Sequence, residues 1–129
     1  RRRHTRLRTV TGVQTCALPI LAVAIYGMTR RFPKEEVYGL TSQIRRSAVS
    51  APANIVEGSA RETKKDYLHF LHVSRGSLAE TQYFIHLARR LEYVASPEAD
   101  DVEELSRRAY ACLHGLIKAV EKEAGKPSA

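Results

Sequence analysis

No stretch of about twenty consecutive apolar residues occurs in the sequence, so no membrane-spanning helix is expected. Cysteine is scarce: Cys16 and Cys112 lie far apart and show no metal-ligand spacing. That argues against a secreted disulfide scaffold and favours a reducing cytoplasm. Seven glycines and five prolines in 129 residues, with 43% hydrophobic residues, favour a globular, mostly helical chain over disorder. The length suits one domain with a modest core. Neither a nucleophile motif nor a phosphate-cradling glycine loop is present, and Gly76-Ser77 falls inside a helical stretch. No catalytic residue and no cofactor are therefore expected. The aromatic motifs of RNA-recognition domains are missing too, which leaves base-specific readout without support.

Acid is absent from the first twenty residues, which carry five arginines before "VTGVQTCALPI". A basic start running into an apolar run has three readings: a signal peptide, a nucleic-acid-binding arm, or a segment foreign to the fold. The first lacks a small-residue cleavage site before the helix that follows. Charge elsewhere is uneven. Residues 30–90 hold 11 basic and 6 acidic groups, a net of +5, whereas residues 91–129 hold 5 and 8, a net of −3. Such polarity suits either an RNA surface or packing between subunits.

Apolar spacing predicts three long helices. The first of them carries Leu40, Ile44, Ala48, Ala51 and Ile55, starting after Pro33 with Glu35 and Glu36, and ending near Gly58. Pro52 should bend it. The next is capped by Thr63, with Asp66 three residues on, and its stripe is Tyr67, Phe70, Leu71, Leu78, Phe84, Ile85, Ala88 and Leu91. Gly76 in its middle suggests close packing. The last opens at Ser96-Pro97-Glu98, follows Val102, Leu105, Ala109, Cys112, Leu116 and Val120, and stops by Gly125. A fourth helix is needed to close a core, and Leu21, Ala24, Ile25 and Met28 supply a short one. The expected fold is all-α.

The segments "YGLTSQIRR", "PANIVEG" and "RGSLAE" together resemble the four-helix-bundle proteins encoded in intervening sequences of bacterial 23S ribosomal RNA genes. The resemblance runs from about Leu21 to Val120. It implies an up-down-up-down antiparallel bundle assembled as a ring-like homopentamer. It also implies kinship with accessory proteins of diversity-generating retroelements, which bind a reverse transcriptase and RNA. Family members enter "LAVAIY" through a longer helix containing something like "DLxVWQKA", so the first helix here is truncated. In its place, "VTGVQTCALPI" is what a DNA string resembling a sequencing-library adapter encodes. The expected organisation is a non-native leader over 1–20, the bundle over 21–125 and a tail over 126–129.

Two sets of residues are candidates for function. Gln43, Ser47, Ser50, Asn54 and Glu57 recur on one helix face, as a hydrogen-bonding groove or as a buried or subunit-facing seam that fixes register. Arg45, Arg46, Arg61, Lys64, Lys65 and Arg75 cluster around the turn between the second and third helices and below it. They would contact phosphates, or else form a solvated face paired with acids such as Glu57 and Glu80. His69 and His72 stand three apart without a third ligand, so no metal site is expected. The expected activity is binding of structured RNA or a ribonucleoprotein partner by a non-enzymatic oligomer. Alternatives are a reverse-transcriptase accessory subunit and a structural assembly protein without nucleic-acid affinity.

Overall fold

Four helices account for nearly all of residues 17–125, which are the residues described by the computed structural model. They are α1 (Ala17–Thr29), α2 (Leu40–Ser59), α3 (Lys64–Arg90) and α4 (Ser96–Ala124). Each helix packs on its neighbours in chain order, and α1 closes the ring against α4. Cross-helix bonds fix the direction of α2 and α3: Ser47 meets Thr81, Ser50 meets Ser77, and Ser74 meets the Ala51 carbonyl. Rising numbers on one helix against falling numbers on the other make the pair antiparallel. No strand occurs among the described residues. The molecule is an all-α four-helix bundle with a short first helix.

The core follows the apolar period. Leu21, Ile25 and Met28 of α1 are buried, as are all five predicted positions of α2. On α3, Tyr67, Leu71, Leu78, Ile85 and Ala88 are buried, while Phe70 and Phe84 are half-buried and Leu91 is exposed. On α4 the buried line runs through Ala99, Val102, Ser106, Ala109, Leu113, Ile117 and Val120. The expected Leu105, Cys112 and Leu116 flank it, half-buried against the core. Ala99, Ser106, Leu113 and Val120 keep a seven-residue step, so the stripe is rotated slightly from the expected one.

Helix ends account for other differences. The stretch after Pro33 makes a 3-10 turn, Lys34–Glu36, before α2 begins at Leu40. The Glu36 carboxylate folds back to accept the Leu40 N–H at 3.2 Å, and a Cβ on Gly39 would stand 2.5 Å from that oxygen. Gly58 does not terminate α2. It lies inside the helix, where a Cβ would stand 2.7 Å from Phe70 Cβ and 2.9 Å from Tyr67 Cδ1. Close packing therefore belongs to Gly58, whereas Gly76 is exposed and a Cβ there meets nothing within 4 Å. Thr63 caps α3 by accepting the Asp66 N–H at 3.1 Å. Helix α3 ends through Glu92 at φ 62°, with the Tyr93 N–H donating to the Ala88 carbonyl at 3.0 Å. Helix α4 starts at Ser96 itself, one residue earlier than a Ser96 cap would give, with Pro97 in its first turn.

Helix α1 begins inside the segment read as leader: Ala17 to Ile20 are helical, and Leu18 is 1% exposed. Residues 1–16 and 126–129 lie outside the described residues, with most of the leader and the whole tail.

Candidate nucleic-acid interface

The polar face of α2 divides along its length. Ser47 is buried, and its Oγ lies 2.8 Å from Thr81 Oγ1 and 3.1 Å from the Ile44 carbonyl. Ser50 Oγ lies 3.0 Å from Ser77 Oγ, and the Asn54 amide donates to the Ser50 carbonyl at 2.8 Å and to its Oγ at 3.0 Å. Buried Ser74 donates to the Ala51 carbonyl at 2.6 Å. Small hydroxyl side chains from both helices thus stitch α2 to α3, close the hydrogen bonds that burial demands and hold their register. At the ends of the stripe, Gln43 and Glu57 are exposed. Gln43 accepts from Arg46 at 3.2 Å, and Glu57 pairs with Arg61 at 2.6 Å. Ser47, Ser50 and Asn54 form one inter-helix seam that Gln43 and Glu57 do not join. Ser74, Ser77 and Thr81, its other half, went unread because small hydroxyl residues give no strong periodic signal.

The six candidate cations do not converge on one surface. Arg46 lies 3.5 Å from Glu80, Arg61 pairs with Glu57, and Lys64 reaches Glu123 of α4 at 2.9 Å. Arg61 also covers the Phe70 ring at 4.6 Å. Arg75 contacts His72 Nδ1 at 3.0 Å, and His69 stands edge-on to Phe70. Arg45 is half-buried against α1: its Nε donates to Thr29 Oγ1 at 2.7 Å and its guanidinium lies 4.7 Å from the Tyr26 ring centre. Lys65 is exposed with no carboxylate in ion-pairing reach among the described residues. The acids of α4 pair widely with cations of the basic middle. Besides Lys64–Glu123, Arg31 meets Glu98, and Arg89 meets Asp100 and Glu103.

Two clefts open at the helix ends. One of about 80 Å³ lies between the α2–α3 link and the end of α4, lined by Arg61, Lys64, Tyr67, Leu116 and Glu123 among others. The Tyr67 hydroxyl is buried without a hydrogen-bond partner, and burial, then the nearby Glu123 charge, raise its pKa. A wider cleft of about 410 Å³ lies at the α1–α2 link. Arg30, Lys34 and Arg45 line it. Of these only Arg45 was legible as a candidate; Arg30 and Lys34 sit outside the helical periodicity and had no pattern to mark them. No group of three or more metal-ligating side chains occurs among the described residues. Nor is any helix among them long and apolar enough to cross a membrane.

Comparison with known proteins places this geometry. The crystal structure of a protein of unknown function from the S23 ribosomal protein family of Bacteroides thetaiotaomicron superimposes with a TM-score of 0.69 at 23% identity. That likeness covers 85% of this chain and 98% of the other, and it concerns the fold. No curated protein matches. The family model described as 23S rRNA-intervening sequence protein matches residues 19–115, from the first turn of α1 to the last third of α4. The chain belongs to the 23S rRNA-intervening sequence protein family.

Proposed function

We propose that the protein is a non-enzymatic, self-associating helical bundle that binds structured RNA through the cations its own carboxylates leave unpaired. The observation that carries this reading is the distribution of those cations. Seven cations have no carboxylate in ion-pairing reach among the described residues, and all but Lys122, namely Arg30, Lys34, Arg45, Lys65, Arg75 and Arg90, belong to the basic middle of the chain. Unpaired surface cations neutralise phosphates at little desolvation cost, giving affinity that depends on salt rather than on base identity. Arg61 and Lys64 carry less of the binding, because a phosphate must first displace Glu57 or Glu123.

Self-association has its own support. On α1, Val23 is 74% exposed and Ile20 53%, and with Pro19 and Ala24 they line a shallow, wholly apolar depression. Covering such a surface with a second protomer removes it from water. The homopentamer that the family resemblance implies is the expected assembly, and light scattering on the purified chain measures it. For RNA, fluorescence anisotropy with a labelled hairpin compares the parent with Lys65→Ala/Arg75→Ala/Arg90→Ala. The triple variant keeps its helicity and binds more weakly with a shallower salt dependence. Identical binding by the two proteins removes α3 from the interface.

A further inference from the structure

Of the seven cations without a carboxylate in reach among the described residues, three stand around the α1–α2 link. Arg30 follows α1, Lys34 opens the 3-10 turn and Arg45 stands on the second turn of α2, yet all three line the same cleft of about 410 Å³. No acidic side chain lines it. The nearest acids in sequence are engaged or turned away. Glu36 accepts from the Leu40 N–H and from the Tyr93 hydroxyl at 2.8 Å, and Glu35 is exposed outside the lining.

Helix-end neutralisation alone does not explain the cluster. The last carbonyls of α1 already accept N–H groups, Met28 from Arg31 at 3.4 Å and Thr29 from Phe32 at 3.1 Å. Arg45 comes from another helix, and no carboxylate lining the cleft draws it there. Its guanidinium is held in place by Thr29 and Tyr26 while its Nη groups keep their donors. The start of α2 keeps open donors although the Glu36 carboxylate takes its Leu40 N–H. Its cap, Gly39, offers no side-chain acceptor, and the Thr41 and Ser42 N–H groups fall where a helix supplies no partner. Thr41 is 6% exposed in the cleft wall, and its Oγ1 has no hydrogen-bond partner. The remaining walls are apolar, from Phe32, Pro33 and Val37.

We propose that this cleft is a phosphate-binding site for a nucleotide-sized ligand, with the phosphate held by Arg30, Lys34 and Arg45 at the start of α2. The ring of the ligand lies against Phe32, Pro33 and Val37. Its volume falls within the roughly 300–1,000 Å³ of small-ligand pockets. A phosphate and an adjoining ring are offered equally by a free nucleotide and by an RNA end. The site gives the RNA reading an anchoring point and also stands without it.

Amide-resolved NMR titrations of the full chain test the site, because they separate this cleft from the arginines of residues 1–8. The probes are inorganic phosphate, adenosine 5′-monophosphate, and one RNA hairpin with and without a 5′-phosphate. Expected are saturable shifts centred on residues 29–45 with phosphate and with the nucleotide, the nucleotide binding more tightly. Arg30→Gln/Lys34→Gln removes two exposed cations without touching the core, and lowers nucleotide affinity by roughly tenfold or more. Lys118→Gln, on α4 and outside the cleft lining, leaves it unchanged. If the 5′-phosphorylated hairpin competes with the nucleotide, an RNA end is the source. If the nucleotide binds and neither hairpin reaches the cleft, the site belongs to a free small molecule and the RNA reading loses this anchoring point. Absence of shifts in residues 29–45 with every probe, or equal nucleotide affinity in the double variant, overturns the proposal.

Discussion

Removing two hydroxyls from the seam between α2 and α3 should cost little more than removing one. Ser47 Oγ and Thr81 Oγ1 stand 2.8 Å apart, and each also faces a carbonyl of its own helix, Ile44 at 3.1 Å and Ser77 at 2.9 Å. Two protons serve these three contacts, so one hydroxyl donates across the pair while the other donates to its carbonyl. Ser47→Ala deletes the cross-helix bond and leaves Thr81 donating to Ser77. Thr81→Val keeps the shape and leaves Ser47 donating to Ile44. Each single change therefore loses about 1 kcal/mol, one net hydrogen bond. The double variant loses the shared bond only once, and both carbonyls are already inside helices, so its cost stays within about 1.5 kcal/mol. The coupling energy from urea unfolding at one fixed protein concentration should be about 0.5–1 kcal/mol in magnitude. Strict additivity, with the double near the sum of the singles, would falsify the view that the two hydroxyls share one bond.

Three further outcomes follow from the packing. Gly58→Ala should destabilise by about 1–3 kcal/mol because its methyl collides with Tyr67 and Phe70, while Gly76→Ala should stabilise by about 0.5–1 kcal/mol; thermal unfolding of both, and opposite signs, check this. Leu113→Ala should cost about 2–5 kcal/mol as a core cavity, and more than half-buried Leu105→Ala; denaturant midpoints in the reverse order contradict the phase assigned to α4. Tyr67→Phe removes a buried hydroxyl without a partner and should hold or raise stability at neutral pH. Because the folded pKa of Tyr67 lies above its ordinary value of 10.0, its protonated form supports the fold fully below that pH. That support is lost as pH rises through the folded value, so alkaline melting should be blunted in Tyr67→Phe.

Helices and core were readable because α2 and α3 keep a regular apolar period over many turns. The α4 phase was harder, since two alanines and a serine lie on its buried line and leave leucines at 105 and 116 as equal competitors for it. Ser106 is buried there, and nothing in its composition distinguishes it from exposed Ser96. Gly58 and Gly76 exchanged roles for a similar reason: which glycine faces a neighbouring helix depends on the crossing point, which no local pattern encodes. The end of α3 escaped notice because Glu92, not a glycine, takes the left-handed cap. Among functional candidates, the cations were legible as a set, and Glu57 and Glu80 as acids that pair with them, but the pairing with α4 was not. Lys64 and Glu123 are far apart in sequence and meet only because α3 and α4 run antiparallel.

RNA binding by a chain beginning at Ala17, measured by hairpin anisotropy across a salt series, tests the proposed function most directly. Residues Ala17–Thr29 of α1 are kept in that chain, and the arginines of residues 1–8 cannot contribute. Affinity should persist and fall linearly in log–log form, with a slope of about −0.7 to −0.9 for each phosphate neutralised and so a total of at least about −2. Binding that vanishes with the first sixteen residues, or that ignores salt, would contradict it.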